Sequence, residues 1–255
     1  MENDDILSFA ENGMLKVILN QPRRKNAITI PMYKKLIQIL HDSIQDSSLY
    51  VVVLTGTGSF FSSGNDFNSL LMEVDNLDLE DVSNTFKKFV DTLISYPKLL
   101  IAIVNGPAIG IAVTFLPLFD MVYTSDTAYF RTPFTDLGLS AEGCSTYTFP
   151  KIFGHSKAGD MLYLGYKMSA FEAKQYGLVS EVYKEGCIDE VWTYLKKLPQ
   201  LSSESILAIK SLVKRWNEKV LLEVNVEESK ELLKRIQTSD FSERIMNMLL
   251  HKNKL

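Results

Sequence analysis

Leu99–Ile111 reads LLIAIVNGPAIGI. Six apolar residues run to Val104 without polar alternation, the pattern of a strand buried on both faces. Asn105-Gly106-Pro107 then turns the chain, because proline cannot donate to a sheet ladder. Ile109–Leu118 is apolar all round and predicts a core helix. A helix opening at this point leaves backbone N–H groups unpaired in its first turn, and the helix dipole reinforces them.

The same construction appears upstream. Tyr50–Thr55 is a β-branched, apolar run and predicts a buried strand. Gly56–Gly64 follows as a Gly/Ser loop, and its end, Ser59–Phe67, reads SFFSSGNDF. Gly64 lets the backbone bend so that the Asn65 N–H points into a cavity. Taken alone, each loop is also an ordinary connection in an α/β protein. Downstream of both lies Glu142, in Ser140-Ala141-Glu142-Gly143. A carboxylate facing two free N–H donors is the minimum needed to move a proton next to a carbonyl. Read from its neighbours alone, Glu142 is equally a solvated loop carboxylate or an N-cap for a helix near Gly143.

Outward from these stretches, Ile6–Ala10 and Met14–Leu19 predict strands joined through Asn12-Gly13, a strong hairpin signal. Thr29 and Pro31 predict the start of a helix carrying Met32, Leu36, Ile37, Leu40 and Ile44 at helical spacing. Leu79–Ser95 predicts a helix, and Asp120–Thr124 and Ala128–Arg131 predict strands. From Gly143 onward the chain reads as helical apart from a strand at Leu178–Tyr183. Ser169 and Glu172 form a capping box, and Val220–Ile236 and Phe241–Leu250 are amphipathic. Strand–helix alternation followed by helices is α/β with a helical appendage. The expected division is a core over residues 1–200 and a helical region over 201–255.

The bulk numbers narrow the function. A net charge of −4 argues against non-specific nucleic-acid binding. The 2 cysteines, Cys144 and Cys187, are too few for a disulfide framework and suit a reducing compartment. The 3 histidines are scattered, which disfavours a zinc site. No apolar run reaches the roughly 18 residues that cross a bilayer. The acidic start, MENDDILSF, is neither a signal nor a transit peptide. Gly56, Gly58 and Gly64 are wrongly spaced for a dinucleotide fingerprint. Gly154-His155-Ser156-Lys157-Ala158-Gly159 has its second glycine one residue late for a nucleophile elbow and reads as a helix start. Cys144 reads as a packed small residue, and Asp136 as a turn residue. The tail Asn253-Lys254-Leu255 resembles the SKL peroxisomal address, with mitochondrial or cytosolic placement as alternatives.

The pair FFSSGNDF and VNGPAIGIAVTFLPLFDMVYTSDTAYFRTPFTDLGLSAEGCSTYTFPKIFG resembles the crotonase, or enoyl-CoA hydratase/isomerase, superfamily. Within it, FRTPFTDLGLSAEGCSTYTFPKIFG is most similar to the peroxisomal 3,2-enoyl-CoA isomerases. The resemblance implies a ClpP/crotonase-like spiral of ββα units, with residues 201–255 serving as trimer contact and pocket cover in a homotrimer or dimer of trimers. It implies an acyl-CoA thioester ligand, no separate cofactor, and an oxyanion hole at the N–H groups of Asn65 and Ile111. Ser62, Ser63, Gly64, Asn65, Asp66, Phe67 and Gly110 are then the CoA-site residues. Arg24 and Lys25, with Arg23, are candidates for the CoA phosphates or a solvated loop.

Hydratases of this superfamily carry two glutamates where this chain has Thr114 and Phe134, so the resemblance disfavours water addition. Glu142 matches the single acid/base of the isomerases. The implied reaction shifts the double bond of a cis- or trans-3-enoyl-CoA to trans-2-enoyl-CoA through a 1,3-proton transfer, a step in β-oxidation of unsaturated fatty acids. The alternatives are a non-catalytic acyl-CoA-binding or interaction protein on the same fold, or another chemistry such as dienoyl isomerisation. Glu142 separates the first from an enzyme, and the absence of acids at Thr114 and Phe134 weighs against the second.

Overall fold

A computed structural model of the chain describes residues 4–67 and 78–252. The strands are β1 (Ile6–Glu11), β2 (Met14–Leu19), β3 (Val51–Gly56), β4 (Leu99–Val104), β5 (Ala108–Ile109), β6 (Met121–Ser125), β7 (Tyr129–Arg131), β8 (Met168–Ser169) and β9 (Glu181–Tyr183). The helices are α1 (Ile30–Gln45), α2 (Leu79–Ser95), α3 (Ile111–Thr114), α4 (Ser145–Leu164) and α5 (Ala170–Tyr176). They continue as α6 (Ile188–Leu195), α7 (Ser203–Arg215), α8 (Glu218–Ile236) and α9 (Ser239–Lys252). The tail at Asn253-Lys254-Leu255 lies outside the described residues.

One sheet has the order β1-β2-β3-β4-β6-β9, antiparallel only in the first hairpin. The period of two in β4 explains its unbroken hydrophobicity. Leu100, Ala102 and Val104 join a core with α1 and α2, while Leu99, Ile101 and Ile103 join a second core with Val51, Val53 and Leu195. Both faces are covered, so polar alternation has no place in it. A smaller sheet, β5-β7-β8, stands where β4 ends.

Local signals act as read at several points. The Thr29 hydroxyl accepts from the Met32 N–H at 3.3 Å and starts α1. Ser169 and Glu172 cap α5 reciprocally. Three expectations need correction. Ile109–Leu118 is not one helix: Ile109 is a strand residue, Gly110 turns at φ 59°, α3 lasts only to Thr114, and Pro117 sits in a 3₁₀ turn at Leu116–Leu118. Of Leu178–Tyr183 only Glu181–Tyr183 pairs in the sheet, while Leu178 and Val179 pack in the core. The short β8 was not expected, since two residues give no readable period. Gly154, at φ 72° and ψ 161°, breaks α4 internally, which agrees with a fresh helical start near Ser156.

The C-terminal helices bind closely to the rest. Asn225 on α8 donates to the Lys87 carbonyl at 3.0 Å and to Asp91 at 2.8 Å, both on α2. Lys210 on α7 reaches Asp120, beside β6, at 2.7 Å. Phe241 on α9 meets Phe67 edge-on, with ring centroids 5.9 Å apart.

Candidate active site

The loop after β3 lies between two backbone segments. Phe61 donates to the Pro107 carbonyl at 3.1 Å, and Ile109 donates to the Ser62 carbonyl at 3.0 Å. On the other side, Ile28 donates to the Gly64 carbonyl at 2.8 Å and accepts from Asp66 at 3.1 Å. Those two bonds straddle Asn65. In a parallel ladder the straddled residue turns its own N–H away from that partner, so the Asn65 N–H faces the β5 side. Gly64 is required there. Its φ is 84°, and a Cβ would sit 2.6 Å from the Ile109 carbonyl oxygen.

The second loop is fixed by Gly110, which donates to the Arg131 carbonyl at 2.9 Å and accepts from Val113 at 2.9 Å. Ile111 is the first residue of α3, so no carbonyl precedes it in the helix to take its N–H. Among the described residues neither the Asn65 N–H nor the Ile111 N–H has a hydrogen-bond partner.

Glu142 is buried, with 8% of its surface exposed. The Asn65 side-chain amide donates to its two oxygens at 3.1 and 3.4 Å. That amide is itself oriented by the Tyr33 hydroxyl, which donates to Asn65 Oδ1 at 2.6 Å. Burial pushes the Glu142 carboxyl up to about 8; the Asn65 hydrogen bond opposes this and the Glu228 carboxylate adds to it. Gly143 lets the Glu142 turn come against α3. A Cβ there would meet Thr114 Oγ1 at 2.5 Å and Ile111 Cδ1 at 3.1 Å.

Asn65, Ile111 and Glu142 line one cavity of about 980 Å³. Ile109, Phe134 and Leu139 supply apolar wall, and Arg244, Asn247 and Met248 of α9 close one side. Three carboxylates line it among the described residues: Asp66, Asp136 and Glu142. Asp66 pairs with Arg24, and Asp136 pairs with Arg131 at 2.7 Å. Glu142 faces an amide instead of a cation, which leaves it available as a base.

The other residues singled out from sequence divide. Ser63, Gly64, Asp66, Phe67, Gly110, Arg24 and Lys25 line the same cavity. Ser62 does not. It is fully buried, and its hydroxyl donates to the Asn26 carbonyl at 2.8 Å and accepts from Gly64 at 3.1 Å, which shapes the loop. Asp136 is more than a turn residue, since it holds Arg131 at the cavity wall. Cys144 is fully buried, and burial pushes its thiol up, away from nucleophilic use. Thr114 is buried with its hydroxyl on the Ile111 carbonyl at 3.4 Å.

Two residues were missed by sequence reasoning. Tyr33 reads as one more apolar position of α1, and Glu228 as one charge in an amphipathic helix. Glu228 is buried on α8, and its carboxylate accepts from the N–H groups of Cys144 at 2.6 Å and Thr146 at 2.9 Å. Nothing in the local sequence separates it from the solvated glutamates beside it, because its partners lie more than 80 residues away.

Comparison with known proteins shows the family and the fold. Residues 10–254 match the family model described as enoyl-CoA hydratase/isomerase. The mouse protein "Enoyl-CoA delta isomerase 3, peroxisomal" is 42% identical over 99% of this chain and 80% of its own length. The rat "Enoyl-CoA delta isomerase 2" is 42% identical over 100% of this chain, which spans 66% of the rat protein, just under two thirds. The crystal structure of an enoyl-CoA hydratase/isomerase from Pseudoalteromonas atlantica superposes with a TM-score of 0.89 at 27% identity, covering 97% of this chain and 98% of that one.

Proposed function

Because the chain belongs to the enoyl-CoA hydratase/isomerase family, we propose that it isomerises 3-enoyl-CoA thioesters to trans-2-enoyl-CoA. The observation that carries this reading is the single unpaired carboxylate. Among the described residues, Glu142 is the one cavity acid without a cationic partner, and it shares the space with two N–H groups that have no partner there.

The chemistry follows from that arrangement. The C2 proton of a 3-enoyl thioester is acidified by the carbonyl and by the adjacent double bond. Glu142 takes it, and the C2–H electrons spread over the thioester oxygen, C2 and C4. The N–H groups of Asn65 and Ile111 hold the resulting oxyanion; losing one such donor typically costs about 10²–10³ in rate. Protonated Glu142 then returns the proton to C4, and the double bond moves from C3–C4 to C2–C3. A carboxyl pushed up to about 8 is a stronger base than a solvated one and a competent acid for the return step. Atoms and charge balance without a metal or a redox group.

Thr114 and Phe134 offer no second acid to activate water, which supports isomerisation over hydration. Ser63–Phe67 with Arg24 and Lys25 give the CoA moiety its track along the cavity mouth. In this reading residues 1–200 form the catalytic core and 201–255 the cover and assembly contact, in a trimer or dimer of trimers. The exposed Ile209, Leu212, Val213 and Trp216 at helical spacing along and just past α7 support such a contact. The setting is β-oxidation of unsaturated fatty acids in peroxisomes, as the mouse relative's name suggests.

The test is incubation with trans-3-hexenoyl-CoA, following absorbance of the conjugated product, with hydration of trans-2-enoyl-CoA measured in parallel. Conversion without hydration is expected. Binding of CoA thioesters without conversion would leave a binding protein on this fold.

A further inference from the structure

Helix α4 begins two residues after the Glu142–Gly143 peptide, and it begins badly. Its N-cap is Cys144, in a left-handed conformation at φ 64°, with no side chain of its own to close the free N–H groups. Gly143 before it is also left-handed, at φ 68°. Glycine takes this conformation freely, but for Cys144 it is costly unless the surroundings hold it. The holding group comes from another helix. Glu228 Oε2 accepts from the Cys144 N–H at 2.6 Å, and Oε1 accepts from the Thr146 N–H at 2.9 Å and the Thr146 hydroxyl at 2.5 Å. This is the service an N-cap side chain normally gives from within the helix.

We propose that Glu228 is the positioning residue of the active site: by closing the free end of α4 it fixes the Gly143-Cys144 turn and, through it, the direction of the Glu142 side chain. Glu228 is well placed to be rigid. It is buried, and one turn earlier on the same helix Asn225 is bonded to Lys87 and Asp91 of α2. The charged groups facing this point from α2 are that Lys87 and Asp91, which pair with each other at 2.5 Å. From α7, Lys214 donates to the Tyr96 carbonyl at 3.0 Å and lies 3.9 Å from Glu218, at the far end of α8. Around Glu142 itself stand Asn65 and the Tyr33 hydroxyl. Burial raises the Glu228 carboxyl too, against the hydrogen bonds from Thr146 and Cys144 that favour its charge; where it is ionised, that charge adds to the rise that burial gives the Glu142 carboxyl. Sequence position hides this arrangement, since 86 residues separate the two glutamates while a single turn of backbone joins their roles.

The catalytic consequence rests on the isomerase reading, so the experiment has two independent readouts. Glu228→Gln keeps the size but turns one of two buried acceptors into a donor. Turnover of trans-3-hexenoyl-CoA gives kcat and KM, and ¹³C NMR of labelled glutamate carboxyls, assigned with Glu142→Gln, gives the titration midpoint of Glu142. The expected result is a kcat lower by about 10²-fold, the scale of a small misplacement of a catalytic group, with KM little changed and the Glu142 midpoint moved to lower pH. A kcat unchanged per folded molecule, or an unmoved midpoint, overturns the proposal. Glu228→Ala leaves both N–H groups unpaired and is expected to lose more; should it fail to fold, Glu228→Gln carries the decision. If the wild type converts no 3-enoyl-CoA, the isomerase reading fails, and the Glu142 midpoint alone still decides the role of Glu228.

Discussion

Replacing Glu142 by glutamine should change how stability depends on pH. The carboxyl has an ordinary value of 4.5 and stands at about 8 in the folded chain, chiefly because it is buried. The folded protein thus holds this proton more tightly than the unfolded chain does. The stability so contributed is fully present below about 4.5 and is lost as pH rises through about 8. At 1.36 kcal/mol per pH unit the whole span amounts to at most about 5 kcal/mol. Glutamine fills the same space and still accepts from the Asn65 amide, so it removes the ionisation and little else. Urea unfolding of both proteins at about pH 5 and about pH 8 isolates the difference, because every other titrating group is common to the two. Between those conditions the wild type should lose up to about 4 kcal/mol relative to Glu142→Gln, with unchanged m-values. Curves that stay parallel within about 1 kcal/mol would refute the reasoning that the carboxyl is buried and costly to ionise.

The same ionisation should appear in catalysis and in its supports. The wild-type kcat/KM is expected to rise about tenfold per pH unit toward about 8, since the base must be deprotonated. Tyr33→Phe removes the hydroxyl that orients the Asn65 amide; that amide lowers the Glu142 carboxyl, so the acid limb of the pH–rate profile should move to higher pH. Gly143→Ala adds a Cβ 2.5 Å from Thr114 Oγ1 at a φ of 68°. Denaturant unfolding should show a loss of about 2–4 kcal/mol from overpacking and left-handed strain together. A second change, Thr114→Ala, removes the 2.5 Å contact and should recover part of the overpacking loss and none of the left-handed strain.

Much of this molecule is legible where the signal is local. Thr29, Ser169 and Glu172 announce their caps, and the all-apolar Leu99–Val104 announces a strand covered on both faces. The apolar run Ile109–Leu118 misleads, because burial from the whole fold makes a strand end, a one-turn helix and a 3₁₀ turn equally hydrophobic. The two glycine loops and Glu142 can be found in sequence as pieces. What sequence cannot supply is their convergence on one cavity, which depends on Ile28 and Pro107 pairing with the loop after β3. Ser62 shows the same limit, since its position in SFFSSGNDF suits a ligand contact while its hydroxyl is consumed inside the loop. Tyr33 and Glu228 act through partners far along the chain, and neither has a spacing that marks it.

The central claim is that one glutamate carries the proton both ways. Its most direct test compares wild type and Glu142→Gln on trans-3-hexenoyl-CoA, with CoA-thioester binding measured in the same samples. The account predicts steady formation of the conjugated product by the wild type, and a loss on the order of 10²–10⁴-fold in Glu142→Gln with binding retained. Wild-type turnover in Glu142→Gln would contradict it.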